Sequence, residues 1–310
     1  MKSAGLQKLY VVSSRVFTFG LIFAAIWTLV IQRDVLLNTY SLGLSIVSIL
    51  IFHVCAQVSA FASTQFFRRQ GFAALFSTQL SLNYRSHMAA FVTPAVLGSA
   101  LKLKRLASRH SPGHALWYLI QERVFTFLWW ATLGLTATLV LGEEVLGQTL
   151  IQVLVWSLGG GMVLSLLFGV LFPRAFKPIY RRLPRRAFNY LAKMPNFKDV
   201  KIENGVRIVA SYTLIISVLG AAGVLAVGYA LWPMEPTIFL LARAIAFLIS
   251  AVPLPIPAVA AGELGSIALL VSMGIPADVA AFSSAIFIMG IFSGAVVGII
   301  YEIMMLVRKR

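Results

Sequence analysis

Long apolar stretches alternate along the chain with shorter polar and basic segments. Six of these stretches reach the roughly 20 residues that a membrane-spanning helix needs. They are Val11–Ile31, Ser41–Phe61, Ala115–Leu141, Thr149–Phe172, Ile208–Leu231 and Val279–Val307. Two further apolar segments are short or are interrupted by proline and glycine. The pattern predicts an all-α polytopic membrane protein with about six full transmembrane helices and two segments that do not cross in the ordinary way.

The two interrupted segments share a pattern of proline, glycine and polar residues. The first reads Phe91-Val-Thr-Pro-Ala-Val-Leu-Gly-Ser99, and the second reads Pro253-Leu-Pro-Ile-Pro-Ala-Val-Ala-Ala-Gly-Glu263. A second proline follows each Pro-Ala-Val, after 18 positions at Pro112 and after 19 positions at Pro276. Paired interruptions of this kind are typical of transport sites. The pattern predicts that the chain turns at these residues: Pro94, Gly98, Pro253, Pro255, Pro257 and Gly262.

The distribution of charge indicates the class of protein and its orientation. Charged residues make up only 12% of the chain and the mean hydropathy is +0.89, which excludes an ordinary soluble domain. The net charge of +16 comes from lysines and arginines between the apolar stretches, as in cytoplasmic loops, so no nucleic-acid partner is expected. Basic residues near both ends place the N- and C-termini in the cytoplasm, in a bacterial inner membrane.

The same rule predicts how the interrupted segments enter the membrane. Met88–Leu101 has basic residues on both flanks, so a re-entrant hairpin over residues 86–104 enters and leaves on the cytoplasmic side. A second re-entrant hairpin over residues 237–275 lies between two outer ends and enters from the opposite face. The prediction is a single transmembrane domain, 1–310, built as an inverted-topology repeat. Its parts are half 1 (1–173), a basic cytoplasmic loop (174–207) and half 2 (208–310). Kinked ordinary helices are the simpler alternative.

Three short motifs carry a resemblance to a known family. They are Pro94…Gly98 followed by Lys102 and Lys104, then Glu122-Arg123, then Pro257…Gly262-Glu263. With them the chain resembles the lysylphosphatidylglycerol synthase transmembrane-region family of flippase-like integral membrane proteins. The resemblance is to the stand-alone branch, which lacks the aminoacyl-transferase domain. It implies a protein that moves or handles polar lipids and does not modify them. Ser99 stands where the family usually has glutamate, which departs from its pattern.

Ionisable residues at membrane depth are candidates for function because burying them unpaired is costly. Arg123 and Arg243 are expected to bind phosphate, with Glu122 and Glu263 as counter-ions. An Arg243–Glu263 contact across the second hairpin is predicted, and a static structural pair is its simpler alternative. The start of the helix that bears Ser99 is expected to receive an anionic head group, together with the Lys102, Lys104 and Arg105 that follow it. The substrate-binding candidates are Ser99, Lys102, Lys104, Glu122, Arg123, Arg243 and Glu263.

The expected function is a lipid flippase that moves a phospholipid or a polyprenyl-phosphate-linked sugar. A non-transporting accessory of envelope synthesis is one alternative. A membrane-embedded transferase is another, but it would need more acidic residues than the loops offer. Cys55 is the only cysteine and the histidines lack acidic partners at metal-ligand spacing, so no catalytic residue, cofactor or metal is expected.

Overall fold

The computed structural model describes residues 39–92, 95–163, 202–251 and 258–307, with positions 20, 23, 27 and 165. This part of the chain forms nine helices and no strand. They are α1 (Thr39–Arg69), α2 (Phe76–Val92), α3 (Ala95–Ala107), α4 (Pro112–Leu146), α5 (Gln148–Val163), α6 (Ile202–Leu231), α7 (Thr237–Ala251), α8 (Ala258–Ser272) and α9 (Ala277–Val307). The predicted span Val11–Ile31 and most of the basic loop 174–207 lie outside the described residues.

Four helices, α1, α4, α6 and α9, are long and apolar enough to cross a membrane. They contain four of the six predicted spans. Over the described residues this confirms the expectation of an all-helical protein with several candidate membrane spans. A fifth predicted span, Thr149–Phe172, is described as far as Val163 and is a shorter apolar helix over those residues.

The helices repeat one order, in which a long helix is followed by two short ones and another long one. The lengths are 31, 17, 13 and 35 residues for α1 to α4, and 30, 15, 15 and 31 residues for α6 to α9. Prolines lie where helices start. The first N–H groups of a helix have no acceptor within it, so a residue without an N–H is tolerated there. Pro112 is the first residue of α4, and the Pro276 carbonyl accepts the Ala280 N–H at the start of α9.

In each half the two short helices fold back on one another. We call α2 with α3 hairpin A, and α7 with α8 hairpin B. In hairpin A, Leu82 and Leu106 belong to one buried cluster. In hairpin B, a Cβ at Gly262 would lie 2.8 Å from the Ala246 carbonyl oxygen, so only glycine allows the two arms to approach this closely. Both hairpins therefore have the antiparallel arms that a chain reversal requires.

Two details of the predicted hairpins differ from the structure. Gly98 and Gly262, expected at the turns, lie inside α3 and α8. The first arm of hairpin A begins at Phe76, ten residues before the predicted residue 86. The prediction started too late because polar side chains lower the hydropathy of these ten residues. In the structure those side chains have hydrogen-bond partners on a neighbouring helix. Of the predicted turn residues, Pro94, Pro253, Pro255 and Pro257 lie outside the described residues, between the arms.

The two halves pack through equivalent pairs of helices. α1 and α6 run antiparallel, because Phe61 meets Tyr212 while Cys55, earlier in α1, reaches the carbonyl of Ile216, later in α6. The first arm of hairpin A packs on α9, and the first arm of hairpin B packs on α4. Likewise α1 packs on α9, and α6 packs on α4. If α1 to α4 are exchanged with α6 to α9 in order, each of these contacts therefore maps onto another contact of the set.

Each hairpin contacts a long helix of the other half at one glycine of that helix. A Cβ at Gly134 on α4 would lie 2.9 Å from the Ala244 Cβ on α7. A Cβ at Gly298 on α9 would clash with the carbonyl of Tyr84 on α2. Because each glycine lies in the second half of its helix, the two contacts occupy equivalent places. Small residues allow helix backbones to approach in this way in membrane proteins.

Candidate functional site

The central polar group of hairpin A is an ion pair between α3 and α4. Lys102 Nζ donates to both carboxylate oxygens of Glu122, at 2.9 Å and 2.7 Å. The same carboxylate accepts hydrogen bonds from Ser59 Oγ on α1 at 3.2 Å and from the Tyr118 hydroxyl at 3.4 Å. The side chains of Lys102 and Glu122 are 15% and 18% exposed. Glu122 is therefore a largely buried carboxylate with several donors.

A chain of polar side chains connects this pair to the first arm of hairpin A. Asn83 Nδ2 donates to Ser59 Oγ at 3.1 Å, and Ser63 Oγ donates to Gln79 Oε1 at 3.4 Å. Both Asn83 and Gln79 are buried on α2. Because buried polar groups need partners, these bonds fix how α2 sits against α1.

The Glu122–Lys102 pair was not predicted, although both residues were named as candidates. Sequence reasoning expected Glu122 to find a partner other than its neighbour Arg123 and named it as a counter-ion of the phosphate-binding arginines, without naming Lys102 as that partner. Adjacent residues point about 100° apart on a helix, which leaves Glu122 facing α3, where Lys102 lies. The pair separates its members by 20 positions, as does the pair in hairpin B.

Hairpin B holds the predicted ion pair between its own arms. Arg243 on α7 donates to Glu263 Oε1 on α8, so the predicted contact is present. The Glu263 side chain is 3% exposed and the Arg243 side chain is 20% exposed. The guanidinium also lies over the Phe287 ring on α9, 4.6 Å from its centroid, as a cation–π contact. The second oxygen of Glu263 is buried without a hydrogen-bond partner.

A third cluster, which we call the Arg85–Glu302–Arg105 triad, was missed by sequence reasoning. Arg85 donates two hydrogen bonds to Glu302, from Nε to Oε1 at 2.6 Å and from Nη2 to Oε2 at 2.8 Å. Arg105 Nη2 adds a third at 2.7 Å to Oε1. The three residues come from α2, α9 and α3, so a single carboxylate of the last helix holds both arms of hairpin A.

The remaining predicted residues lie around these groups without joining them by a described bond. Lys104 is exposed on α3. Arg123 follows Glu122 on α4 and makes an interaction of its own. Ser99 lies one turn inside α3, which starts at Ala95, so it is not at the helix start as predicted, and its side chain lies outside the described positions.

The described residues include no group of histidine, cysteine, aspartate and glutamate that could hold a metal ion. His53 illustrates the structural use of such residues, because its ring lies 2.8 Å from the Tyr84 hydroxyl and 3.1 Å from Ser293 Oγ. Comparison of the chain with protein-family models, with curated proteins and with solved structures finds no match.

Proposed function

We propose that this protein moves an anionic polar lipid, a phospholipid or a polyprenyl-phosphate-linked sugar, across a bacterial cytoplasmic membrane. The observation that carries the proposal is that each hairpin bears, apart from the arginines of the triad, a largely buried cation paired with a single carboxylate. These are Lys102 with Glu122 in hairpin A and Arg243 with Glu263 in hairpin B. Paired charges at membrane depth are costly and usually mark substrate pathways.

The proposed architecture is an inverted repeat in which the hairpins are re-entrant and enter from opposite faces. Support comes from the repeated order of helix lengths and from the matching contacts of α2 with α9 and of α7 with α4. The antiparallel contact of α1 with α6 also supports it, because equivalent helices of an inverted repeat run in opposite directions. Helices that break at membrane depth are tolerated there when they are enclosed by protein.

The mechanism follows from exchange of hydrogen-bond acceptors. A lipid phosphate offers oxygens that accept charge-assisted hydrogen bonds as a carboxylate does. When the phosphate reaches Lys102 or Arg243, the cation leaves its carboxylate and binds the phosphate. The carboxylate takes up a proton from water in the same step, so neither buried charge is left unpaired. The acyl chains stay in the lipid, and the head group passes between the two hairpins as one half rocks against the other.

The test is translocation in liposomes that contain the purified protein and acyl-labelled lipids whose outer-leaflet label is quenched by dithionite. We expect the quenched fraction to rise with the wild-type protein for anionic lipids and to stay at the outer-leaflet value for zwitterionic phosphatidylcholine. Lys102→Gln and Arg243→Gln are each expected to slow translocation at least about tenfold, the effect of losing roughly 1.4 kcal/mol of binding. Arg109→Gln, which changes an exposed charge of the same hairpin end, is the control.

Two outcomes would contradict the proposal. One is no translocation across a panel of phosphatidylglycerol, cardiolipin and polyprenyl-phosphate-linked sugars. The other is full cellular function of an Arg243→Gln/Glu263→Gln protein that does not translocate lipid, which would favour a non-transporting accessory of envelope synthesis.

A further inference from the structure

The Arg85–Glu302–Arg105 triad carries more positive than negative charge. Two guanidinium groups share one carboxylate, which leaves one positive charge in excess. The side chains of Arg85, Arg105 and Glu302 are 17%, 27% and 27% exposed, so the triad lies at the edge of the protein interior and can be reached. An anion with a single negative charge would neutralise this excess.

One donor of the triad lacks an acceptor. Arg105 Nη1 is buried and makes no hydrogen bond, although Nη2 of the same guanidinium binds Glu302. A buried donor without a partner is unfavourable, and more so when it belongs to a charged group. A guanidinium fork presents two parallel N–H groups that fit two oxygens of one phosphate. The free donor and the excess charge therefore indicate the same class of ligand.

The triad is the neighbour of the Lys102–Glu122 pair. Lys102 and Arg105 are three positions apart on α3, so their side chains lie on one face of the helix. Arg105 is closer to the end of α3, where Lys104 and Arg109 are exposed, and Lys102 is closer to the break of the hairpin. A ligand bound at the triad is thus about one helical turn from the deeper cation.

We propose that the triad is a docking site for the phosphodiester of an anionic phospholipid, occupied before the phosphate reaches Lys102. This inference rests on the proposed function and adds the place and chemical group of first contact. A phosphodiester carries one negative charge, which matches the excess of the triad. The triad lies at the basic end of hairpin A, a position that suits a lipid head group whose acyl chains remain in the adjacent leaflet.

The experiment is a titration of the purified, full-length protein in nanodiscs of phosphatidylcholine with added phosphatidylglycerol, with bound lipid counted by native mass spectrometry. Arg105→Gln is expected to weaken phosphatidylglycerol binding about tenfold. Glu302→Gln is expected to strengthen it by a similar factor, because it removes the competing carboxylate while keeping the shape of the side chain. Arg109→Gln is the charge-matched control and is expected to bind as wild type does.

The opposite response of the two variants separates a binding role from a structural one. If the triad only clamps α9 to hairpin A, both variants lower the unfolding temperature and neither strengthens binding, which overturns the proposal. Arg105→Lys, which keeps the charge and loses the fork, is expected to bind more weakly than wild type while keeping its unfolding temperature. Displacement of phosphatidylglycerol by millimolar inorganic phosphate would assign the site to a free anion instead.

Failure of this inference is distinguishable from failure of the proposed function. Lys102→Gln is expected to leave docking at the triad intact while translocation is lost. Normal translocation by Arg105→Gln together with unchanged lipid binding would reject the docking site and leave the flippase proposal standing.

Discussion

Hairpins A and B both use buried ion pairs, but in opposite ways. The carboxylates that hold hairpin A come from outside it, Glu122 from α4 and Glu302 from α9. Hairpin B contains both members of its pair, Arg243 on one arm and Glu263 on the other. Its contacts with the rest of the protein are mainly apolar, through residues such as Leu241 and Ala244. Charge therefore ties hairpin A to the bundle, whereas in hairpin B it ties one arm to the other.

The largest expected effect is the loss of the Arg243 charge in hairpin B. Arg243→Met leaves the Glu263 carboxylate, which is 3% exposed, without its only described hydrogen bond. Removing one partner of a buried pair costs about 3–5 kcal/mol, so we expect a loss of this size in unfolding by SDS titration. The double variant Arg243→Met/Glu263→Gln is expected to regain most of it. Equal losses in the single and double variants would contradict an ion pair internal to the hairpin.

The next largest effect is expected at the Lys102–Glu122 ion pair, which connects hairpin A to α4. Glu122→Gln and Lys102→Met each remove one member of a pair whose carboxylate is 18% exposed, against 3% for Glu263, so each is expected to cost about 2 kcal/mol. A double-mutant cycle of the two substitutions measures their coupling. Crosslinking between cysteines placed on α3 and α4 is expected to fall in both. Unchanged crosslinking with lost stability would mean that hairpin A is held by other contacts.

The third effect is expected at the two glycines, Gly134 and Gly298, where each hairpin contacts a long helix of the other half. Gly298→Ala is expected to destabilise by about 1–3 kcal/mol, because its Cβ meets the Tyr84 carbonyl, which cannot move alone. Gly134→Ala is expected to cost less, since its Cβ meets side chains and no backbone atom: the Ala244 Cβ at 2.9 Å and a Leu158 methyl group at 3.3 Å. Ala244→Gly is the matched second change and is expected to rescue Gly134→Ala. Failure of that rescue would contradict the assigned contact.

The smallest effect is a pH dependence that arises at the end of hairpin A. His110 lies in the turn after α3, 2.9 Å from Gln79 Nε2 on α2 and stacked on Phe67. Burial, followed by the positive charges of Arg109 and His114, lowers the pKa of His110 below its usual 6.5. The unfolded chain therefore binds the proton more readily, and this contribution to stability is present above pH 6.5 and is lost as the pH falls below it.

The measurement is the unfolding midpoint of wild type and His110→Asn at pH 5.5 and pH 7.5, the asparagine keeping a polar partner for Gln79. We expect the wild-type midpoint to fall at the lower pH by more than that of the variant. The same fall in both proteins would assign the pH dependence to His114 or to another group.

The sequence was sufficient for features that depend on neighbours in the chain. Prolines predicted where helices break and restart, because proline cannot donate to the preceding turn. The Arg243–Glu263 contact was predictable because a reversal brings equidistant positions of its arms together. Contacts between distant segments were not predictable in this way. Glu302 binds residues 217 and 197 positions away, and only the packing of α9 on α2 shows that they meet.

Polar residues caused the one large error in an element boundary. The first arm of hairpin A includes Gln79, Asn83 and Arg85, so its hydropathy resembles that of a loop. Their partners lie on α1 and α9, and a reading of hydropathy cannot anticipate them. In the membrane interior a polar side chain with a partner and one without it look alike in sequence.

The antiparallel contact of α1 with α6 bears on how such a chain could have arisen. Each of these helices opens a series of four, and the contact between them pairs the same element of both series, as in an isologous interface of a two-fold dimer. In the proposed inverted repeat, a separate polypeptide made of one series would expose this face and would need a second copy, inserted in the opposite direction, to cover it. Joining the two series in one gene fixes their one-to-one ratio and lets each half diverge, so that one hairpin can keep its counter-ion within itself while the other takes its counter-ions from the long helices.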